Sequence, residues 1–129
     1  MLKDKDLSGF CGTEQYTRYS PLFPNVLLTD GALFVAENGG TNGGFWLMDA
    51  ISSYQPDLQR KYRWAKEMQF WKLTVDLNKK SAVLTCTEDS DKEPVVKQVI
   101  EYTDFDLPSI DLWVGPMDDK QIILLPSEY

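Results

Sequence analysis

The chain has 129 residues, a formal net charge of −7, 43% apolar and 26% charged residues, and no histidine. That length fits one domain with its own core, and the composition excludes wholesale disorder. The missing histidine removes the commonest general base, the commonest zinc ligand and every Ser–His or Cys–His nucleophile pair, while the acidic balance disfavours a nucleic-acid backbone as partner.

The first residues, MLKDKDLSGF, are charged and contain no apolar leader. The expectation is a cytoplasmic protein forming a single domain over residues 1–129, with 1–8 as a frayed tail. No apolar run approaches the about 20 residues that span a bilayer, so no membrane association is expected. Cys11 and Cys86 are too few for a disulfide framework and read as reduced thiols. Phe10 to Tyr19 reads as a turn entering a short strand, with Tyr16 and Arg18 on one side and Thr17 and Tyr19 on the other. Pro21 and Pro24 then bracket an extended connection.

From Leu27 to Gln55 the chain reads as two short helices joined by a glycine hinge. Thr29 and Asp30 are N-cap residue types, and Asn38-Gly39-Gly40 stops the first helix. After Gly43-Gly44, a second helix beginning at Phe45 places Leu47, Ala50, Ile51 and Tyr54 on one face and Asp49, Ser52 and Ser53 on the other. Pro56 is expected to end it near Gln55. Leu58, Tyr62 and Ala65 follow at helical spacing and suggest a third short helix.

Beyond Glu67 the pattern changes to period two. Trp71, Leu73, Val75 and Leu77 share one face of a strand, and Phe70, Lys72, Thr74 and Asp76 share the other. Asn78-Lys79-Lys80 turns it into a second strand, Ala82–Thr87. Further strands are expected over Val95–Tyr102, Ile110–Val114 and Gln121–Leu125, with a turn at Gly115–Asp119. Helices first and hairpins afterwards indicate an α+β fold: an antiparallel five-stranded meander with two or three N-terminal helices packed on one face.

Five segments, FCGTEQY at Phe10–Tyr16, LTDG at Leu28–Gly31, WLMDAI at Trp46–Ile51, FWKL at Phe70–Leu73 and LLPSEY at Leu124–Tyr129, occur in the order of a known pattern. On them the chain resembles a family of short bacterial and mobile-element-associated proteins, a domain of unknown function, with a longer Gly39–Gly44 hinge. The resemblance implies one small cytoplasmic domain, transfers no catalytic residue, and tilts the reading toward a binding or inhibitory role.

Chemistry-bearing groups are sparse. The Gly39–Gly44 hinge is followed by Phe45-Trp46 rather than the Lys-Ser or Lys-Thr of a phosphate loop, so it reads as a flexible joint. Asp104, Asp106 and Asp111 are a candidate set for a hard cation, though same-face acids at an exposed edge more often stay solvated. The Asp89, Asp91 and Glu93 run is weaker, lacking the glycine and spacing of a calcium loop. Neither a metal nor a cofactor is expected.

Thr13, Glu14, Tyr16 and Arg18 form a polar set in a loop-to-strand region, where recognition residues gather. Asp30 and Asp49 are weaker additions. Phe45 and Phe70 fall on faces otherwise polar, which points to a second layer or a contact surface. The first reading is therefore a small acidic, non-enzymatic protein-binding or regulatory module whose partner is another protein or itself, as a homodimer. The alternative is a carboxylate- or metal-dependent hydrolase using the clustered acids, with Asp104, Asp106 and Asp111, or Glu14 with Asp30, at its centre.

Overall fold

The computed structural model describes residues 2–10, 12, 15–89 and 91–129. Their elements, in chain order, are α1 (Asp4–Leu7), β1 (Thr17–Arg18), β2 (Val26–Leu28), α2 (Asp30–Asn38), α3 (Phe45–Ser53), α4 (Gln55–Lys61), a 3-10 turn (Arg63–Lys66), β3 (Gln69–Asp76), β4 (Ser81–Thr87), β5 (Val96–Ile100), β6 (Ser109–Met117), β7 (Lys120–Leu124) and a second 3-10 turn (Pro126–Glu128). The strands make one mixed sheet in the order β1-β2-β7-β6-β3-β4-β5, with β2 and β7 parallel and the other neighbours antiparallel. The fold is α+β.

The expected five-stranded antiparallel meander is corrected. The five strands read from the sequence exist, but β5 does not hand over to a neighbour. The chain from Glu101 to Pro108 instead returns past β4 and β3, and β6 pairs with the far side of β3. The reason is apolar: Phe105 and Leu107 are buried, at 2% and 5% exposure, so this connection is part of the core and not a surface turn. Two further strands extend the sheet. Val26–Leu28, at the approach to the first predicted helix, lies parallel to Gln121–Ile123, and Thr17–Arg18 closes that edge.

Other boundaries shift for local reasons. β6 continues through Gly115 and Pro116 to Met117 instead of turning at Gly115. Proline is tolerated there because β3 pairs with β6 only as far as Val114, leaving no donor to lose on that side. Pro56 does not merely end a helix; α3 stops at Ser53 and Pro56 sits in the first turn of α4, where its missing N–H costs nothing. The third helix is thus real. Residues 1–8, expected to fray, contain α1, and Leu2 is 2% exposed with its amide donating to Asp106 Oδ2 at 3.1 Å.

The sheet's inner face carries Leu28, Trp71, Leu73, Leu84, Cys86, Leu112, Val114 and Ile123, all under the helices. On α3 the buried residues are Leu47, Met48, Ile51 and Ser52. This rotates the expected face: Ser52 is inward, because its hydroxyl meets the Tyr19 hydroxyl at 2.9 Å.

Two polar devices hold the helices to the sheet. The first is at the start of α2. The Thr29 hydroxyl accepts from the Ala32 amide at 3.2 Å and donates to Glu128 Oε1 at 2.6 Å. Glu128 Oε2 accepts from the Gly31 amide at 2.9 Å, so the first turn, with its unpaired amides, receives a carboxylate from the opposite end of the sequence. Glycine at position 31 leaves room for this contact, since a Cβ there would lie 2.6 Å from Glu128 Oε1 and Leu125 Cδ1 and would push both side chains aside.

The second device is an amide pair. Gln55 Nε2 donates to Gln69 Oε1 at 2.8 Å, and Gln69 Nε2 returns to Gln55 Oε1 at 2.7 Å. Gln69 Oε1 also accepts from the Trp71 indole, and Gln69 Nε2 donates to the Ala65 carbonyl. Gln55 Nε2 reaches the Ile51 carbonyl, and its oxygen accepts from Gln59. Both amides are buried, and each uses its full complement of donors and acceptors, which joins α4 rigidly to β3.

Two mutational outcomes follow. Glu128→Ala is expected to lower unfolding stability by roughly 2 kcal/mol, the scale of a cap plus a charge-assisted bond, and Glu128→Gln by less; an unchanged urea midpoint in both would show the cap to be idle. Gln69→Leu is expected to cost roughly 2–3 kcal/mol by stranding the Gln55 amide and the Trp71 indole. Replacing Gln55 and Gln69 together by Leu should cost less than the two single losses added, as measured in a double-mutant denaturation cycle.

Candidate binding surface

The helices cover one face of the sheet and leave the other open. Alternation in β3 turns Phe70, Lys72, Thr74 and Asp76 to that open face. Strand register then sets their neighbours: Phe70 lies between Thr87 and Trp113, Lys72 lies between Thr85 and Asp111, and Trp113 lies beside Leu124.

The aromatic rings meet edge to face. Phe70 and Trp113 have centroids 5.1 Å apart at 90°, and Trp113 and Tyr129 are 5.4 Å apart at 70°. This is a preferred arrangement of ring quadrupoles. It leaves Tyr129 80% exposed over a floor of apolar side chains. Beside the rings is a cavity of about 490 Å³, lined by Phe70, Lys72, Thr85, Thr87, Asp111 and Trp113. Lys72 Nζ stands 3.8 Å from Asp111 Oδ1, with both side chains about half exposed, so each remains available to a partner of opposite charge. A second hollow of about 430 Å³ lies along β6 and β7, against Met68, Gly115, Ile122, Leu124 and Tyr129.

The residues singled out from sequence are dispersed. Phe70 is central to the open face. Arg18, exposed on β1, stands opposite Leu27 and so shares that face at its far edge. Phe45 and Asp49 lie on the helical side, on α3, where the Phe45 ring stacks at 6.1 Å on Tyr19. Asp30 occupies the first turn of α2. Tyr16 is exposed in the segment before β1, and Glu14, Thr13 and Cys11 lie outside the described residues.

The three aspartates weighed as cation ligands are each engaged with a different partner. Asp104 accepts from the Thr41 amide at 2.8 Å, Asp106 accepts from the Leu2 amide, and Asp111 faces Lys72 across the open face. Among the described residues, no group of three or more His, Cys, Asp or Glu is placed to hold a metal ion.

Among the described residues, three groups carry shifted protonation. Burial pushes the Cys86 thiol up to about 12, which makes it a poor nucleophile. Burial also raises the Tyr19 phenol well above its ordinary value, against the lowering bond from Ser52, and the Asp49 carboxylate adds to the rise. Asp104 is lowered, chiefly by the bond from the Thr41 amide. It clamps the glycine hinge at Gly40, whose φ of +107 only glycine adopts readily.

Sequence reasoning missed Trp113, Tyr129 and the Lys72–Asp111 pair. A signal for Trp113 was present: in Ile110–Val114 it shares parity with Asp111, opposite to the buried Ile110, Leu112 and Val114.

A family model described as "Family of unknown function (DUF6876)" matches residues 1–129. No curated protein and no solved structure matches. Among the described residues no helix is long and apolar enough to cross a membrane.

The Asp104 clamp has a definite pH dependence. Its carboxylate is favoured in the folded state, so the clamp is fully present above the ordinary aspartate value, about 3.9, and is lost as pH falls through the lowered one. Asp104→Ala is expected to speed amide hydrogen exchange at Thr41 about tenfold at neutral pH, the loss of one charged hydrogen bond. Exchange at Leu73, in the sheet, should not change.

Proposed function

Because the chain belongs to this family of unknown function, we propose its role from geometry: it is a non-enzymatic, cytoplasmic protein-binding module, regulatory in character, that docks an extended segment of a partner protein on the open face of its sheet. The observation that carries this reading is the Phe70–Trp113–Tyr129 cluster beside a half-exposed Lys72–Asp111 pair. An apolar floor with rigid aromatic edges supplies contact area at little entropic cost. A cation and an anion at its margin, with the Thr85 and Thr87 hydroxyls, supply orientation. The hollow is lined in turn from β4, β3 and β6, a width of three strands that suits an extended polypeptide. The net charge of −7 favours a partner with a basic surface around the contact.

Photo-crosslinking tests this reading. A photoreactive phenylalanine analogue at position 70, in the cell that makes the protein, is expected to give a discrete adduct whose added mass digests to peptides of one other protein. Trp113→Ala should remove the adduct while circular dichroism stays native. No adduct, an adduct insensitive to Trp113→Ala, or a co-purifying small molecule displaced by that change would each overturn it.

A further inference from the structure

The sheet has two edges, and they are built differently. β1 is two residues long and carries Arg18, a short charged edge of the kind that resists pairing. β5 is five residues long, contains no proline and, among the described residues, pairs with β4 alone. Residues 97–101 make no backbone hydrogen bond beyond that ladder among the described residues. Val99 is 66% exposed and Tyr102 is 71% exposed. An edge of this length with exposed apolar side chains is a template for another strand.

The segment is also complementary to itself. It reads Val96-Lys97-Gln98-Val99-Ile100-Glu101-Tyr102. Laid antiparallel on a copy with Val99 opposite Val99, it places Lys97 opposite the second copy's Glu101, twice by symmetry. Glu101 stands at the bend that ends β5, one residue past Ile100, and Gln98 meets the second copy's Ile100. Directly opposite residues share a face, with Cβ atoms about 4.5–5.5 Å apart, so both oppositely charged pairs are within reach. In a chain of net charge −7 two copies repel over most of their surface. Along this edge each charge faces its opposite.

We propose that β5 pairs with β5 of a second copy about a two-fold axis at Val99, giving a homodimer with one continuous sheet. The contact is isologous and needs no rearrangement of β4. It lies on the strand edge, apart from the Phe70–Trp113 groove, and leaves both open faces on the same side of the extended sheet.

Light scattering coupled to size exclusion, over a dilution series of the full chain, reads the outcome. The expected mass at high concentration is twice the 14.8 kDa of one chain. Lys97→Glu alone, and Glu101→Lys alone, should each raise the dimer dissociation constant roughly tenfold or more, by setting like charges opposite one another. The double variant should recover the dimer. Mixing the two single variants should give a heterodimer tighter than either alone. Both positions are exposed, so folding is retained, and Trp113→Ala should leave the mass unchanged. A monomer at every concentration overturns the proposal, as does a dimer indifferent to these charge changes or abolished by Trp113→Ala.

Discussion

A single carboxylate decides how the helical layer meets the sheet. Glu128 lies against the first turn of α2, taking the Gly31 amide and the Thr29 hydroxyl, while the Thr29 amide itself donates to the Ile123 carbonyl on β7 at 3.2 Å. The unpaired amides of a helix start are costly to bury, and here they are satisfied by groups from the other end of the chain. β2 can therefore run parallel to β7 and pass directly into α2 over the core. Remove that acceptor and the first turn of α2 loses its charged partner, while the buried Ala32, Val35 and Ala36 still hold the helix on the core.

Everything else in the helical layer accommodates this placement. α3 turns Ser52 inward to reach Tyr19, and α4 is held by the paired amides of Gln55 and Gln69. The Glu101–Pro108 connection passes through the core, and two of its aspartates accept backbone amides from distant segments. Asp104 holds the glycine hinge and Asp106 holds Leu2. Acids that look clustered along the sequence are thereby committed to three separate backbone or charge partners. The layer is complete on one side only, so the aromatic residues of β3 and β6 remain on the other side, facing solvent. A contact role for the open face and for the β5 edge both descend from that asymmetry.

The binding surface was legible in part. Phe70 stood out because a large apolar side chain occupied a position of polar parity, and the same logic applied to Trp113 in β6. That these two rings touch could not be read, because it depends on β6 lying beside β3, a neighbour relation made by a connection that skips two strands. The pairing of Lys72 with Asp111 is hidden for the same reason. Phe45, which shares the sequence signal of Phe70, was sent by helix geometry to the opposite side of the protein, against Tyr19. The Arg18 neighbourhood was placed with the right alternation, since a strand's period of two holds whatever its partner.

What the sequence by itself determined was local: the helix starting after Thr29, the glycine joint, the five strand periods, and the β3–β4 hairpin, in which Asp76 Oδ1 accepts the amides of Asn78 and Lys79. Each of these arises from contacts within a few residues. The strand order, the parallel β2–β7 pair, the burial of Gln55 and Gln69, and the cap supplied by Glu128 were decided only by tertiary structure. Those depend on which apolar faces and unpaired polar groups find one another across the whole chain, and periodicity along it carries no record of that choice.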